Sequence, residues 1–245
     1  MCVRSAVAAS PPLSARYYEN MEQSEPKYYT AYEERYKTVH EKGFRWSSRE
    51  STPIVMATLE KYGVIPTGNL LEIGCGEGRD ARAVLDAGYD LLATDVSEEA
   101  ITYCRKNVPL YADRFSTLDC LTATLEQRFD CIYAVAVIHM LVLDEDRDGF
   151  YRFIRNHLKP DGIALVCSMG DGETEFQTDI STAFTLQRRD HESGPMMVAG
   201  TSCRMVSCGT FENELRRNGF SILESGLTSA PPDFDSLLFA VVKRG

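Results

Sequence analysis

No run of lysines and arginines in this chain is long enough to track a phosphate backbone. The 26 basic residues are outnumbered by 36 acidic ones, giving a net charge of −10 and a pI near 5.0. Nucleic acid is therefore not expected as a partner. Long apolar runs are missing too: CIYAVAVIHMLVL, at residues 131–143, is too short to span a bilayer as a helix, so no membrane is expected. The eight cysteines, at positions 2, 75, 104, 120, 131, 167, 203 and 208, include no CxxC pair. Most lie in apolar, strand-like stretches, as buried thiols of a reduced cytoplasmic protein do. Cys203, Cys208 and His191 could be imagined as metal ligands, but they lack the tight paired spacing of zinc sites, and no metal is expected. The opening MCVRSAVAASPPLSAR has a weak apolar part broken by Pro11 and Pro12, so residues 1–16 read as a disordered tail rather than a signal peptide.

What is present suffices for one substantial core: 245 residues, 44% of them hydrophobic. Residues 17–66 read as an N-terminal helical segment, in which Tyr28, Tyr32 and Tyr36 recur every fourth position and share one helix face. SSREST followed by PIVMATLEKYG predicts a capped helix with Pro53 in its first turn. From residue 67 onward strands and helices alternate: NLLEIG, GRDARAVLDAG, YDLLATD, then SEEAITYCRKNV with Ser97 as its cap. A short strand near DRFSTLD, the strand RFDCIYAVAVIH, the helix EDRDGFYRFIRNHL and the strand GIALVCSM continue the pattern, with Pro160 and Gly162 setting a turn before the last. Such alternation implies an α/β fold: a doubly wound, mostly parallel sheet with helices on both faces. The order changes at about 169–206, a polar, weakly patterned insertion expected to cover a substrate, before the helix CGTFENELRRNG and two final strands.

The glycine turn in LLEIGCGEGRDARAVL narrows the ligand. The dinucleotide pattern GxGxxG fails, because Arg79 stands where its third glycine belongs, and no GK[ST] comes after it for a phosphate loop. The residues instead spell E-x-G-x-G-x-G: Glu72, Gly74, Gly76, Gly78. This resembles motif I of the class I S-adenosylmethionine-dependent methyltransferases. Four further features sustain the resemblance, which covers roughly residues 68–169 and the last two strands. Asp95 ends the second strand and Asp119 stands just after the third. FDCIYAVAVIHML resembles the family's fourth strand, and LKPDGIALV the turn and strand beyond it. The resemblance implies a seven-stranded sheet with an antiparallel last strand and S-adenosylmethionine as cofactor. It further implies that Glu72 orders the loop and the aminoacyl end, with Gly74, Cys75, Gly76 and Gly78 allowing close backbone approach. Asp95, with Val96 beside it, would accept the ribose hydroxyls, Asp119 the adenine amine, and the Cys120 N–H would meet the ring, with Val135 at the end of the fourth strand completing the pocket.

Methyl transfer from a sulfonium needs alignment, exclusion of water and sometimes loss of a proton. His139, just beyond the fourth strand, is the candidate general base, or a structural histidine packed under a helix. Arg204 is a candidate partner for an anionic acceptor group. Tyr29 and Trp46, with Tyr28 and Tyr32, could line the acceptor site beneath an N-terminal lid, or pack as ordinary core. The Asn-Pro-Pro-aromatic signature of amide N-methylation is absent: residues 134–137 are Ala-Val-Ala-Val. The expectation is a methyltransferase for a small-molecule acceptor, a monomer or homodimer. A protein or tRNA methyltransferase and a non-catalytic S-adenosylmethionine-binding regulator stand as alternatives.

Overall fold

The computed structural model describes residues 26–229 and 236–245; the expected tail at 1–16 and the start of the 17–66 segment lie outside the described residues. The described chain opens with a single 3-10 turn, Tyr28–Thr30, then α1 (Tyr32–His40) and α2 (Pro53–Lys61). Tyr28 thus does not share a helix with Tyr32 and Tyr36. Its hydroxyl donates to Asp146 and accepts from the Val142 and Leu143 amides, which holds it in a separate turn. Pro53 does start α2, but the expected side-chain cap is absent. Thr52 gives both its amide and its hydroxyl to Asp80 instead. Asp80 is 3% exposed, and a buried carboxylate without donors would cost more than an uncapped helix end.

The alternating region agrees closely with the sequence pattern: β1 (Asn69–Ile73), α3 (Arg79–Asp86), β2 (Asp90–Asp95), α4 (Glu98–Asn107), β3 (Phe115–Thr117), β4 (Phe129–Val135) and α5 (Asp144–His157). The Ser97 hydroxyl accepts from the Ala100 amide and caps α4, as its residue type predicts. β5 runs over Leu158–Met169, longer than expected. The turn assigned to Pro160 and Gly162 is an irregularity inside this strand: Phe129 pairs with Leu158 and Cys131 with Ile163, so Lys159 to Gly162 stand opposite Asp130 alone. A Cβ on Gly162 would come within 2.9–3.0 Å of the Asp130 and Phe129 carbonyls, so glycine lets the two strands stay together here. The insertion is ordered into two small antiparallel sheets, β6 (Phe176–Gln177) with β9 (Arg204–Met205), and β7 (Leu186–Arg189) with β8 (Met196–Ala199). Then come α6 (Cys208–Arg217), β10 (Phe220–Thr228) and β11 (Leu237–Arg244).

The main sheet has seven strands in the order β10-β11-β5-β4-β1-β2-β3, and β11 is antiparallel to both neighbours. Both faces are covered, which explains the near-continuous apolar strands. Side chains alternate between the two layers with period two. Leu71, Ile73, Ile132, Ala134, Ala164 and Val166 pack with α5 and α6, and Leu70, Cys131, Tyr133, Ile163 and Leu165 with α2, α3 and α4. Strand order reverses between β1 and β4, and a crevice at the carboxyl ends of strands opens at such a switch point.

One buried ion pair braces the crevice from behind. Arg147 of α5 is fully buried and meets Glu214 of α6 through two hydrogen bonds, Nε at 2.9 Å and Nη2 at 2.6 Å. Its remaining nitrogen donates to the Ile138 and Leu141 carbonyls, and the Tyr151 hydroxyl donates to Glu214. Removing one member would strand a charge in the core. Glu214→Ala is expected to cost about 3–5 kcal/mol in chemical denaturation; a loss below about 1 kcal/mol would show that the pair is not structural.

Candidate active site

The turn after β1 is shaped by three residues in the left-handed region: Gly74, Gly76 and Gly78 have φ of +74°, +52° and +77°. Each also sits where a Cβ has no room. A Cβ on Gly74 would collide with Val137, one on Gly76 would lie 2.9 Å from the Tyr36 hydroxyl, and one on Gly78 3.0 Å from Cys104 Sγ. The backbone is thereby bared toward the crevice. Asp95, 8% exposed at the end of β2, clamps the turn: its Oδ2 accepts from the Gly76 amide (2.8 Å) and its Oδ1 from the Ser97 amide (2.9 Å). Each oxygen keeps acceptor capacity beyond that single bond, enough for two hydroxyls. Burial pushes this carboxyl above its ordinary range in spite of the two amides.

Glu72, on β1, is 2% exposed and accepts from the Tyr133 hydroxyl at 3.1 Å. Burial, reinforced by the nearby Asp80, pushes its carboxyl well above the usual range. Asp119 is already engaged. Its Oδ2 accepts from Lys27 Nζ (2.8 Å) and the Tyr29 hydroxyl (3.0 Å), and its Oδ1 from the Leu121 amide (2.9 Å), so spare capacity lies at Oδ1. Burial opposes the charge on Asp119, yet these donors hold its pKa below the ordinary value.

These groups open onto one cavity of about 1130 Å³, its mouth included. All the cofactor residues named from the sequence except Gly78 line it: Glu72, Gly74, Cys75, Gly76, Asp95, Val96, Asp119, Cys120 and Val135. Gly78 sits one residue before α3 and packs against Cys104 and Phe115. Tyr29 and Trp46 also line the cavity, joined by Tyr32, Tyr36, Met140 and Leu141. The ionisable side chains around it are mostly acidic, Glu72, Glu77, Asp80, Asp95 and Asp119, with Arg79 as the basic one. Of these acids, Glu77 and Asp119 are the ones held below their ordinary pKa in spite of burial, and their charge disfavours a pyrophosphate and favours a cationic ligand.

Two sequence candidates lie elsewhere. His139 occupies the 3-10 turn Ile138–Met140, 5% exposed, and is not among the lining residues, whereas Val137 and Met140 on either side are. Burial, together with Arg147, pushes its pKa down to about 4. The turn points this side chain inward because Ala136, at φ +56°, redirects the chain as it leaves β4. Arg204 donates to the Val142 carbonyl (2.8 Å) and pairs with Asp144 (2.7 Å), which places it at the junction of the insertion with the start of α5 and outside the cavity lining. His191 is held by the Arg45 carbonyl and the Ser193 hydroxyl, so it does not join Cys203 and Cys208. Sequence reasoning missed Glu77, whose side chain is wholly buried and accepts from the Trp46 and Ser47 amides, the Ser47 hydroxyl and His40. A glutamate flanked by two tightly packed glycines was the signal that could have found it. It also missed Arg35, 3% exposed, stacked 4.7 Å from the Tyr32 ring and 4.6 Å from Trp46 while donating to the Ala199 carbonyl.

Residues 71–164 match the family described as a methyltransferase domain. This stretch is similar to a methyltransferase domain. The matched segment contains the glycine turn, Asp95, Asp119 and β4. The fold agrees along most of the chain. The CcbJ methyltransferase of Streptomyces caelestis aligns over 89% of this chain and 99% of its own, with a TM-score of 0.65 at 15% identity. The 1,6-didemethyltoxoflavin-N1-methyltransferase of Burkholderia thailandensis aligns over 78% and 76%, with a TM-score of 0.60 at 17% identity. A curated relative, hemagglutinin 1 of Eikenella corrodens, is 31% identical over 122 residues, 48% of this chain; the chain spans only 39% of that relative's length.

In the glycine turn, Gly74→Ala is strained at positive φ and pressed against Val137. It is expected to destabilise the fold by about 2–4 kcal/mol in thermal or chemical unfolding; an unchanged stability would refute the close-packing account of the turn. For His139 the sign is set by its depressed pKa. The neutral ring contributes stability that is present above the unfolded value of 6.5 and is lost as pH falls toward about 4. Its ring signals in an NMR titration are expected to stay those of a neutral imidazole at about pH 5.5 and above; protonation near pH 6.5 would contradict the burial.

Proposed function

We propose that this chain is an S-adenosylmethionine-dependent methyltransferase acting on a small-molecule acceptor. The observation that carries the reading is the combination of a phosphate-hostile, acid-lined cavity with Asp95, whose two oxygens each retain one acceptor position beside a bared glycine turn. Those features fit a cationic nucleoside with a ribose diol and no phosphate. The Burkholderia neighbour, which holds S-adenosylhomocysteine together with its small acceptor, supports the same assignment.

In this reading Glu72 and the backbone of residues 74–76 border the aminoacyl end, Asp95 takes the ribose hydroxyls, and Asp119 and Cys120 border the base. When bound, S-adenosylmethionine supplies a methyl group activated on a sulfonium. The chain's own contribution is alignment and exclusion of water. Tyr29, Tyr32 and Trp46, brought over the crevice by the N-terminal segment, form the acceptor wall, and the large aromatic area displaces water from the transfer line. No proton-transfer step is assigned to His139, which lies off the cavity lining and is weakly basic.

Calorimetric titration with S-adenosylmethionine, with NAD as control, tests the cofactor. Binding to the wild type and a roughly 10–100-fold loss in Asp95→Ala are expected, the size of one or two charge-assisted hydrogen bonds. No binding by the folded wild type, or equal binding of NAD, would overturn the assignment. Release of S-adenosylhomocysteine across a panel of small phenols, thiols and amines then tests the acceptor class, and turnover confined to a protein or tRNA substrate would replace it.

A further inference from the structure

Tyr32, Tyr36 and His40 recur every fourth residue on α1, so their rings stack along one face of the helix. Ring centroids are 5.4 Å apart for the tyrosine pair and 5.7 Å from Tyr36 to His40. Tyr103 of α4 closes the column 4.3 Å from His40. The first two rings line the cavity, and the third lies between two carboxylates. His40 Nδ1 is 2.7 Å from Glu99 Oε1 on α4, and Nε2 is 2.8 Å from Glu77 Oε1 in the glycine turn. A carboxylate can only accept, so both ring nitrogens have to donate, and only the imidazolium carries a proton on each. A neutral ring would turn a lone pair toward one of the two carboxylates.

We propose that His40 is a positioning residue whose imidazolium ties α1 to the glycine turn through Glu77 and to α4 through Glu99, thereby holding Tyr36 against the glycine turn and Tyr32 in the cavity wall. Its functional consequence rests on the cofactor assignment above; the latch itself does not. The surroundings are consistent. Glu77 also receives the Trp46 and Ser47 amides, so the tie carries residues 41–47 as well as α1. Two cations stand nearby: Arg45, with Nε 3.7 Å from Glu77, and Arg49, which like Arg45 acts on Tyr103 beside the His40 ring. Glu33, two turns earlier on α1, pairs with Lys37 at 3.3 Å and accepts from the Ser97 hydroxyl and the Glu99 amide at the head of α4. Burial works against the charged ring, but the two carboxylates outweigh it and raise the His40 pKa above its ordinary 6.5. A raised histidine pKa contributes stability that is whole below the unfolded value and disappears as pH rises through the folded one. The docked N-terminal segment should therefore loosen on the alkaline side.

The test is calorimetry with S-adenosylhomocysteine from about pH 6 to 9, spanning histidine titration, on wild type, His40→Gln and Glu99→Gln. Wild-type affinity is expected to fall about tenfold more than that of His40→Gln over this range, the equivalent of a one-unit pKa difference; titration of the ligand's own amine is common to both. Glu99→Gln, which removes one of the two charges but retains an acceptor, should move the midpoint toward acid while keeping most of the low-pH affinity, a displacement that simple loss of ring packing would not produce. Parallel profiles for wild type and His40→Gln, or an unmoved midpoint in Glu99→Gln, would overturn the proposal. If the wild type binds no ligand at any pH, the cofactor assignment fails. The latch is then decided by the His40 ring titration and amide exchange across residues 32–40. A midpoint above 6.5 with exchange accelerating through it, beyond the intrinsic pH dependence, supports the latch; a midpoint at or below 6.5 ends it.

Discussion

Glu77 has no exposed side-chain surface, and residues 40–47 are arranged around the need to satisfy it. A buried carboxylate without donors would cost several kcal/mol or give up its charge. Here burial is overcome by His40, the Trp46 and Ser47 amides and the Ser47 hydroxyl, and the Glu77 pKa lies below its ordinary value. Because Glu77 stands between Gly76 and Gly78, the same bonds that satisfy it fasten residues 40–47 onto the glycine turn. Asp80, in the first turn of α3, does the same with Thr52 at the head of α2. Two acids of the turn and its helix thus anchor the segment that supplies the aromatic wall of the cavity.

The cavity inherits its chemistry from this arrangement. Its floor is backbone and acid at the carboxyl ends of β1, β2 and β4, and its cover is aromatic. The cover carries a charge of its own in Arg35, which reaches from α1 to the Ala199 carbonyl and the Thr201 hydroxyl and so joins the insertion to the N-terminal segment. Val39, Met196 and Val198 form a small separate core beneath Trp46. The insertion, polar and weakly patterned as a sequence, is therefore ordered by what it packs on rather than by its own periodicity. Among the described residues no helix is long and apolar enough to cross a membrane.

The alternating region was legible because its signals are local. Strand and helix periods, Ser97 as a cap and glycines at positive φ each act within a few residues, and the reversal of strand order that opens the crevice arises from the crossovers they imply. The cavity position of Asp95 and Asp119 was legible through a resemblance whose motifs lie at the ends of those same strands. His139 takes the structural one of the two roles the sequence left open, and Arg204 lies off the cavity lining, for a different reason. Their positions along the chain were right, but side-chain direction after β4 depends on one left-handed residue, Ala136, and Arg204 answers to Val142 and Asp144, some 60 residues away.

The sequence by itself determined the doubly wound sheet, its turn and the acids at its strand ends, because apolar periodicity and glycine stereochemistry act over short distances. Only the tertiary structure decided which polar and charged groups are buried together. Glu77 with His40, Asp80 with Thr52 and Arg147 with Glu214 are 37, 28 and 67 residues apart. Burial makes each of these donors and acceptors obligatory to its partner, and no local pattern records which distant group will answer it.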